Sequence, residues 1–205
     1  MKKLVLPLLA VLLFGFSTED SGITEVERKI AIEHLEKSRD HMMNVLDGLS
    51  EEQLNFQEKE ESWSIAQCVE HIAISEATFN GLIQQTVATG NNPTLKDSVK
   101  LSDDKLVQII IDRSNKVKTS EAFEPSGKFG SHKATVDAFS KKRAEHIEYV
   151  KTTEDDLRNR FNSNLPFGTV DAYQLLLFTA GHTERHVLQM EEVMNSQLFP
   201  ETDDE

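Results

Sequence analysis

Two histidines four residues apart, His182 and His186, sit in the run His182-Thr183-Glu184-Arg185-His186 near the end of the last long helical stretch, Thr169 to Ser196. At about 100° per residue, the apolar stripe of that stretch runs Leu175, Phe178, Thr179, His182, His186, Gln189, Met190 and Val193, so both imidazoles point inward. Side chains at i and i+4 hold their Cβ atoms about 5–6 Å apart, a separation from which two rings can close on one metal ion. The order of residues is not that of the zincin motif HExxH. Glu184 follows the first histidine by two positions and falls about 200° round the helix from it, where it cannot serve as that site's base. The competing interpretation is a pair of half-buried histidines that donate to backbone carbonyls and only stabilise a core.

The surrounding elements decide what else can reach the pair. Ser64, with Gln67 three residues later, forms a capping box that opens a long helix to about Thr89, with Ile65, Cys68, Ile72, Phe79 and Ile83 on its apolar face. His71 lies along one edge of that face and leans toward the core on the side of Cys68. Cys68 reads first as packing and second as a further ligand or reactive thiol. Trp63, just ahead of the cap, reads as a core anchor, with a place in a pocket wall as the alternative. His34 and His41 border the apolar face of an earlier helix, where a solvated histidine is the ordinary outcome and a ligand the alternative.

That earlier helix opens at the capping box Thr24-Glu25-Val26-Glu27 and reaches Leu49, with Leu35, Met42, Val45, Leu46 and Leu49 on one face. A short capped turn follows at Ser50 to Leu54, then a polar link from Gln57 to Glu61. Gly90 to Pro93 closes the second long helix, and Ser102 opens a third that carries Leu106, Ile109, Ile110 and Val117. Ser120 to Ser131, with Pro125, Gly127 and Gly130, is expected to be loop. A fourth helix spans about Lys133 to Thr152 with Val136, Phe139, Ile147 and Val150 inward. Arg143 falls inside that stripe, as half of an internal ion pair or else as an anchor for a substrate anion. Glu154 to Phe161 is expected to be a short helix, and Asn164 to Gly168 a turn into the last helix. No stretch alternates with strand period for long, so the expected class is all-α.

A chain of 205 residues supports one domain with a full core. MKKLVLPLLAVLLFGFS has two lysines, an apolar run and small residues near its end, the pattern of a secretory signal peptide over residues 1–17, with an uncleaved N-terminal anchor as the alternative. The folded part is therefore expected to be exported, periplasmic or secreted, with no membrane span in its mature form. Removing Lys2 and Lys3 takes the formal charge from -13 to -15, which argues against a nucleic-acid or anionic-membrane partner, since either asks for a basic face. One cysteine cannot form an internal disulfide, so the core must hold the fold.

Trp63-Ser64-Ile65, His71 on the following helix, Phe139 with Arg143, Pro166-Phe167-Gly168, and His182 and His186 with Arg185 and Gln189 about them together resemble the DinB/YfiT-like superfamily. The resemblance runs over essentially the whole chain after the leader. It implies a four-helix bundle with long crossover connections over residues 18–199, followed by an acidic tail at 200–205. It also implies a metal held by three histidines, one from the second long helix and two from the last, which here are His71, His182 and His186. Members include proteins described as metal-dependent hydrolases and others that transfer low-molecular-weight thiols such as bacillithiol, mycothiol or glutathione. Relatives often carry a histidine just before the proline of the turn; this chain has Leu165 there.

Three neutral imidazoles leave an open position on a divalent ion, the mark of catalytic rather than structural sites. Zn2+ is the first expectation, with Ni2+ or Fe2+ compatible, because imidazole alone does not choose among them. Gln189, Arg143 and Cys68 are the candidates to surround and orient the ligands. The expected activity is hydrolysis, or thiol transfer to a small electrophile; the alternative is a metal- or ligand-binding bundle without turnover. The expected partner is a small-molecule substrate, with a homodimer left open.

Overall fold

Each long helix begins on a side chain that accepts hydrogen bonds from its first turn. Thr24 and Glu27 form a reciprocal capping box at the start of α1 (Glu25–Leu46), and Ser64 and Gln67 do the same for α3 (Ile65–Ala88). Ser131 caps α5 (His132–Thr152) and Asp171 caps α6 (Ala172–Met194). Two shorter helices, α2 (Glu51–Asn55) and α4 (Asp103–Ile111), start on Ser50 and Ser102. The computed structural model describes residues 22–201, so the expected signal peptide and residues 202–205 of the acidic tail lie outside the described residues. Among the described residues no helix is long and apolar enough to cross a membrane.

α1, α6, α3 and α5 pack in a ring in that order, each against the next, and α4 lies on the outside of α6. Helices consecutive in the chain, α1 then α3 and α5 then α6, therefore occupy opposite corners, and their connections cross the bundle ends. This is the all-α four-helix bundle expected. Its core divides into one apolar cluster that includes Leu35, Ile83, Leu106, Ile147 and Leu176, and another that includes Met42, Ile65, Phe139, Val187 and Met190.

Three local expectations need correction. Residues 154–161 form only a single 3-10 turn, Leu157–Asn159, and then enter a strand, β1 (Phe161–Leu165), paired antiparallel with β2 (Gly168–Asp171). Only Phe161, Val170 and Asp171 of this hairpin are buried, too few positions to register as a strand-period alternation. The last helix accordingly starts at Ala172 rather than Thr169. The third expected helix stops at Ile111, and Val117 lies beyond it, 79% exposed.

Where the two apolar clusters meet, Arg143 is completely buried and uses all five of its N–H donors. Nε and Nη2 grip the Glu76 carboxylate of α3 at 2.6 and 2.9 Å. Nη1 donates to Leu35 O and Ser38 Oγ of α1 at 2.8 and 2.7 Å, and Nη2 also donates to Thr183 Oγ1 of α6 at 2.7 Å. His146 Nδ1 adds a further donor to Glu76 at 2.8 Å. One guanidinium thus ties together all four long helices, and of the two readings of Arg143 the internal ion pair is the one observed.

Replacing Glu76 with Ala strands a buried cation and should cost about 3–5 kcal/mol, read by urea unfolding. Burial alone would raise the Glu76 pKa, but Arg143 and His146 outweigh it and hold the carboxyl at about 2, below its ordinary 4.5. A carboxyl depressed in the fold stabilises it above the unfolded pKa, and that stabilisation drains away as pH falls toward the folded one. Stability measured from pH 5 to 2 should therefore fall less steeply in Glu76→Gln than in the unmodified protein.

Candidate metal centre

α3 and α6 are neighbours in the ring, and their facing sides bring His71 together with His182 and His186. One ligand-capable atom from each of the three lies within 4.8 Å of the others, and no carboxylate or thiol of the described residues joins the group. His71 Nε2 and His182 Nε2 stand 3.2 Å apart. Tetrahedral metal–nitrogen bonds of about 2.0–2.1 Å require ligand nitrogens about 3.3 Å from one another, so this pair spans one edge of such a site.

The remaining ring nitrogens show which tautomers are present. His71 Nδ1 donates to the Phe123 carbonyl at 2.8 Å, which leaves the Nε2 lone pair free. His186 Nδ1 meets Gln189 Oε1 at 3.0 Å, and Arg113 Nη1 reaches the same Gln189 atom at 3.3 Å. A guanidinium can only donate, so the shared atom is the amide oxygen and His186 Nδ1 carries the proton. Arg113 is itself held by both oxygens of Glu192, at 2.7 Å each. Two imidazoles are thereby oriented by groups behind them, with their lone pairs turned toward the cluster.

Burial keeps all three rings neutral, the form that binds metal. It lowers the pKa of His71, and, helped by the two neighbouring histidines, takes that of His182 well below its ordinary value. His186 is pushed down to about 3 by burial and by His71 beside it. Around the rings stands an aromatic wall. Trp63 lies 4.9 Å from His71 between ring centroids, Phe79 5.1 Å from His182, Phe178 5.9 Å from His182 and Phe123 6.3 Å from His71. Trp63, Phe123 and Phe178 are only half-buried, so the wall has an open side.

Of the residues expected to surround the ligands, only Gln189 touches one. Arg143 is committed to Glu76 and reaches the site only through Thr183, the neighbour of His182. Cys68 packs in the apolar cluster, and burial pushes its thiol up to about 12, which keeps it protonated. Trp63 serves in both of its expected places: it packs on the core edge and lays its ring against His71. His41 instead bridges Glu184 and Glu191 of α6 at 3.0 and 3.2 Å. Both of its nitrogens face carboxylates, and although burial opposes the charge, the two acids raise its pKa. His34 is half-buried outside the cluster. Sequence reasoning missed the Phe123 carbonyl, which as a backbone group has no residue signature, and Arg113, which stands just past the end of α4.

The family model of the DinB superfamily matches residues 34–190. An uncharacterized protein of Bacillus subtilis (strain 168), YuaE, is 26% identical over 151 residues, covering 73% of this chain and 88% of its own length. Among solved structures, YfiT from Bacillus subtilis is similar with a TM-score of 0.51 at 14% identity, over 84% of this chain and 89% of that one. YfiT is described as a probable metal-dependent hydrolase with an unusual four-helix bundle topology.

Trp63 is the sole tryptophan, and its ring lies 4.9 Å from His71 and 6.1 Å from His186. Ni2+ or Cu2+ added to the protein should quench its fluorescence in one saturating step at about one equivalent, a step that His182→Ala abolishes. An unchanged emission spectrum throughout the titration would mean that no ion enters the cluster.

Proposed function

This chain belongs to the DinB superfamily, and from that premise we propose that it is a metal-dependent hydrolase of small electrophiles, using a divalent ion held by His71, His182 and His186. The observation that supports the reading most is the convergence of three neutral imidazoles, two of them fixed from behind by Phe123 O and Gln189 Oε1. Satisfied outer nitrogens would suit a structural histidine as well; three inner nitrogens converging within one ligand-sized space are what a metal centre needs. Zn2+ is the ion we favour, with Ni2+ and Fe2+ as competitors for the same donors. Held by His71, His182 and His186, such an ion would supply Lewis acidity toward a substrate carbonyl. The description of YfiT supports the same reaction class.

This chain's own residues supply orientation and exclusion of water. Trp63, Phe79, Phe123 and Phe178 present apolar faces beside the ligands, which favours a substrate with an apolar or aromatic portion. The net charge of -13 argues against a nucleic-acid partner. Export, supported by the leader-like residues 1–17, is part of the same reading.

One observation favours a second reading, transfer of a low-molecular-weight thiol to an electrophile. No carboxylate of the described residues joins the histidine group to act as a general base, and an acidified thiol needs none.

Elemental analysis of the untagged protein should find about one equivalent of transition metal, and His71→Ala, His182→Ala and His186→Ala should each lose it while helical circular dichroism is retained. The loaded protein should turn over aryl esters faster than alkyl ones. Turnover only when a thiol is supplied would select the second reading, and bound metal with no turnover across both panels would leave a metal-binding bundle.

A further inference from the structure

We propose that Glu70 is a positioning residue for the metal centre, holding the 123–128 loop so that the Phe123 carbonyl meets His71 Nδ1. The proposal rests on the metal reading above and concerns how one of its ligands is set.

Glu70 is 8% exposed, a buried carboxylate between Val69 and His71 on α3. Its partners are three consecutive backbone amides: Oε1 accepts from Ser126 N at 3.2 Å and Lys128 N at 2.7 Å, and Oε2 accepts from Gly127 N at 3.0 Å. Successive amides turned toward one point form an anion-binding nest, and here the anion comes from the protein itself. Gly127 makes the turn possible with φ +74°, a conformation that side chains rarely adopt.

Besides these amides the segment is held by the Phe123 ring against Phe79 and by Phe129 against the core. Between α4 and α5, regular structure is limited to the 3-10 turn Glu121–Phe123. Two consecutive residues of α3 grip it at separate points, Glu70 at 126–128 and His71 at 123. Neighbours on a helix point about 100° apart, so the two grips fix the orientation of the loop as well as its position. With Glu70 in place, the Phe123 carbonyl waits where His71 needs an acceptor, and the ring presents Nε2 to the cluster. Without it, the Phe123 carbonyl would be held only by His71, the Phe123 ring contacts and Phe129, and part of the cost of ordering it would be subtracted from metal affinity. The Phe123 ring, 6.3 Å from His71 and 6.2 Å from Phe79, travels with the same loop.

Glu70→Gln leaves one acceptor where there were two and places a donor against the amides. In the full chain it should weaken Co2+ or Zn2+ binding roughly 10–100-fold, measured by chelator competition, with the bundle still folded. A role as loop glue alone would not move the tautomer of His71. In metal-free protein, long-range nitrogen–proton correlation should show Nδ1–H at His71 in the unmodified chain and a mixture with Nε2–H in Glu70→Gln.

Gly127→Ala tests the same loop with Glu70 intact. Nothing lies within 4 Å of the added Cβ, so only backbone strain is introduced, and affinity and tautomer should shift in the same direction. Unchanged affinity and tautomer in Glu70→Gln would overturn the proposal; should that variant not fold, the same result in Gly127→Ala would do so. Failure of the unmodified protein to bind either metal would overturn the metal reading instead, and the tautomer comparison would still decide whether Glu70 positions His71.

Discussion

The buried Arg143 guanidinium constrains everything that follows in this fold. It is among the largest fully buried side chains of the described residues, and its five hydrogen bonds land on α1, α3 and α6 while it is itself anchored in α5. Burying such a charge is costly unless every donor is met, and breaking the set is more costly still. The geometry therefore tolerates very little sliding or rotation of one helix against another. Apolar side chains alone could fill the same space in several registers. Glu76 lies five residues beyond His71, and Thr183 is adjacent to His182, so the contacts that fix the rotation of α3 and α6 also fix where their imidazoles point.

Within that frame, the candidate site is made by burial working in one direction. The same desolvation that lowers the pKa of each histidine and leaves it neutral also keeps the Cys68 thiol protonated and inert one turn away. Neutral nitrogen donors are thus available where a competing thiolate is not. The polar groups that do enter, the Phe123 carbonyl and Gln189, contact the outer edges of the rings and leave the inner edges to one another.

Much of this was legible in the amino-acid order because the signals are local. Ser64 with Gln67 and Thr24 with Glu27 are caps that can be read within four residues, and the helices begin where those caps place them. Arg143 in an apolar stripe announced a buried partner, although nothing local said that it would be Glu76. The hairpin escapes a sequence reading because it buries too little to leave a period, and most of β2 falls within the helical expectation from Thr169. The outer hydrogen bonds of the site escaped for a different reason. Phe123 contributes only a carbonyl, which every residue has, and Arg113 is brought to Gln189 by α4 docking on α6, with Arg185 donating to Ile110 O and Asn115 O. Those placements are tertiary, and no window of sequence contains them.

The ring order of the bundle has a consequence for how the protein is made. His71 and His182 touch although they lie 111 positions apart in the chain, and α6 is the last helix among the described residues. During synthesis, α1, α3 and α5 are complete while the side that α6 will occupy is still open, and α3 carries one donor with nothing facing it. Closing so large a loop is entropically expensive and comes late in folding. The three-histidine cluster therefore waits on α6: a product that stalls before α6 is made carries His71 but neither His182 nor His186.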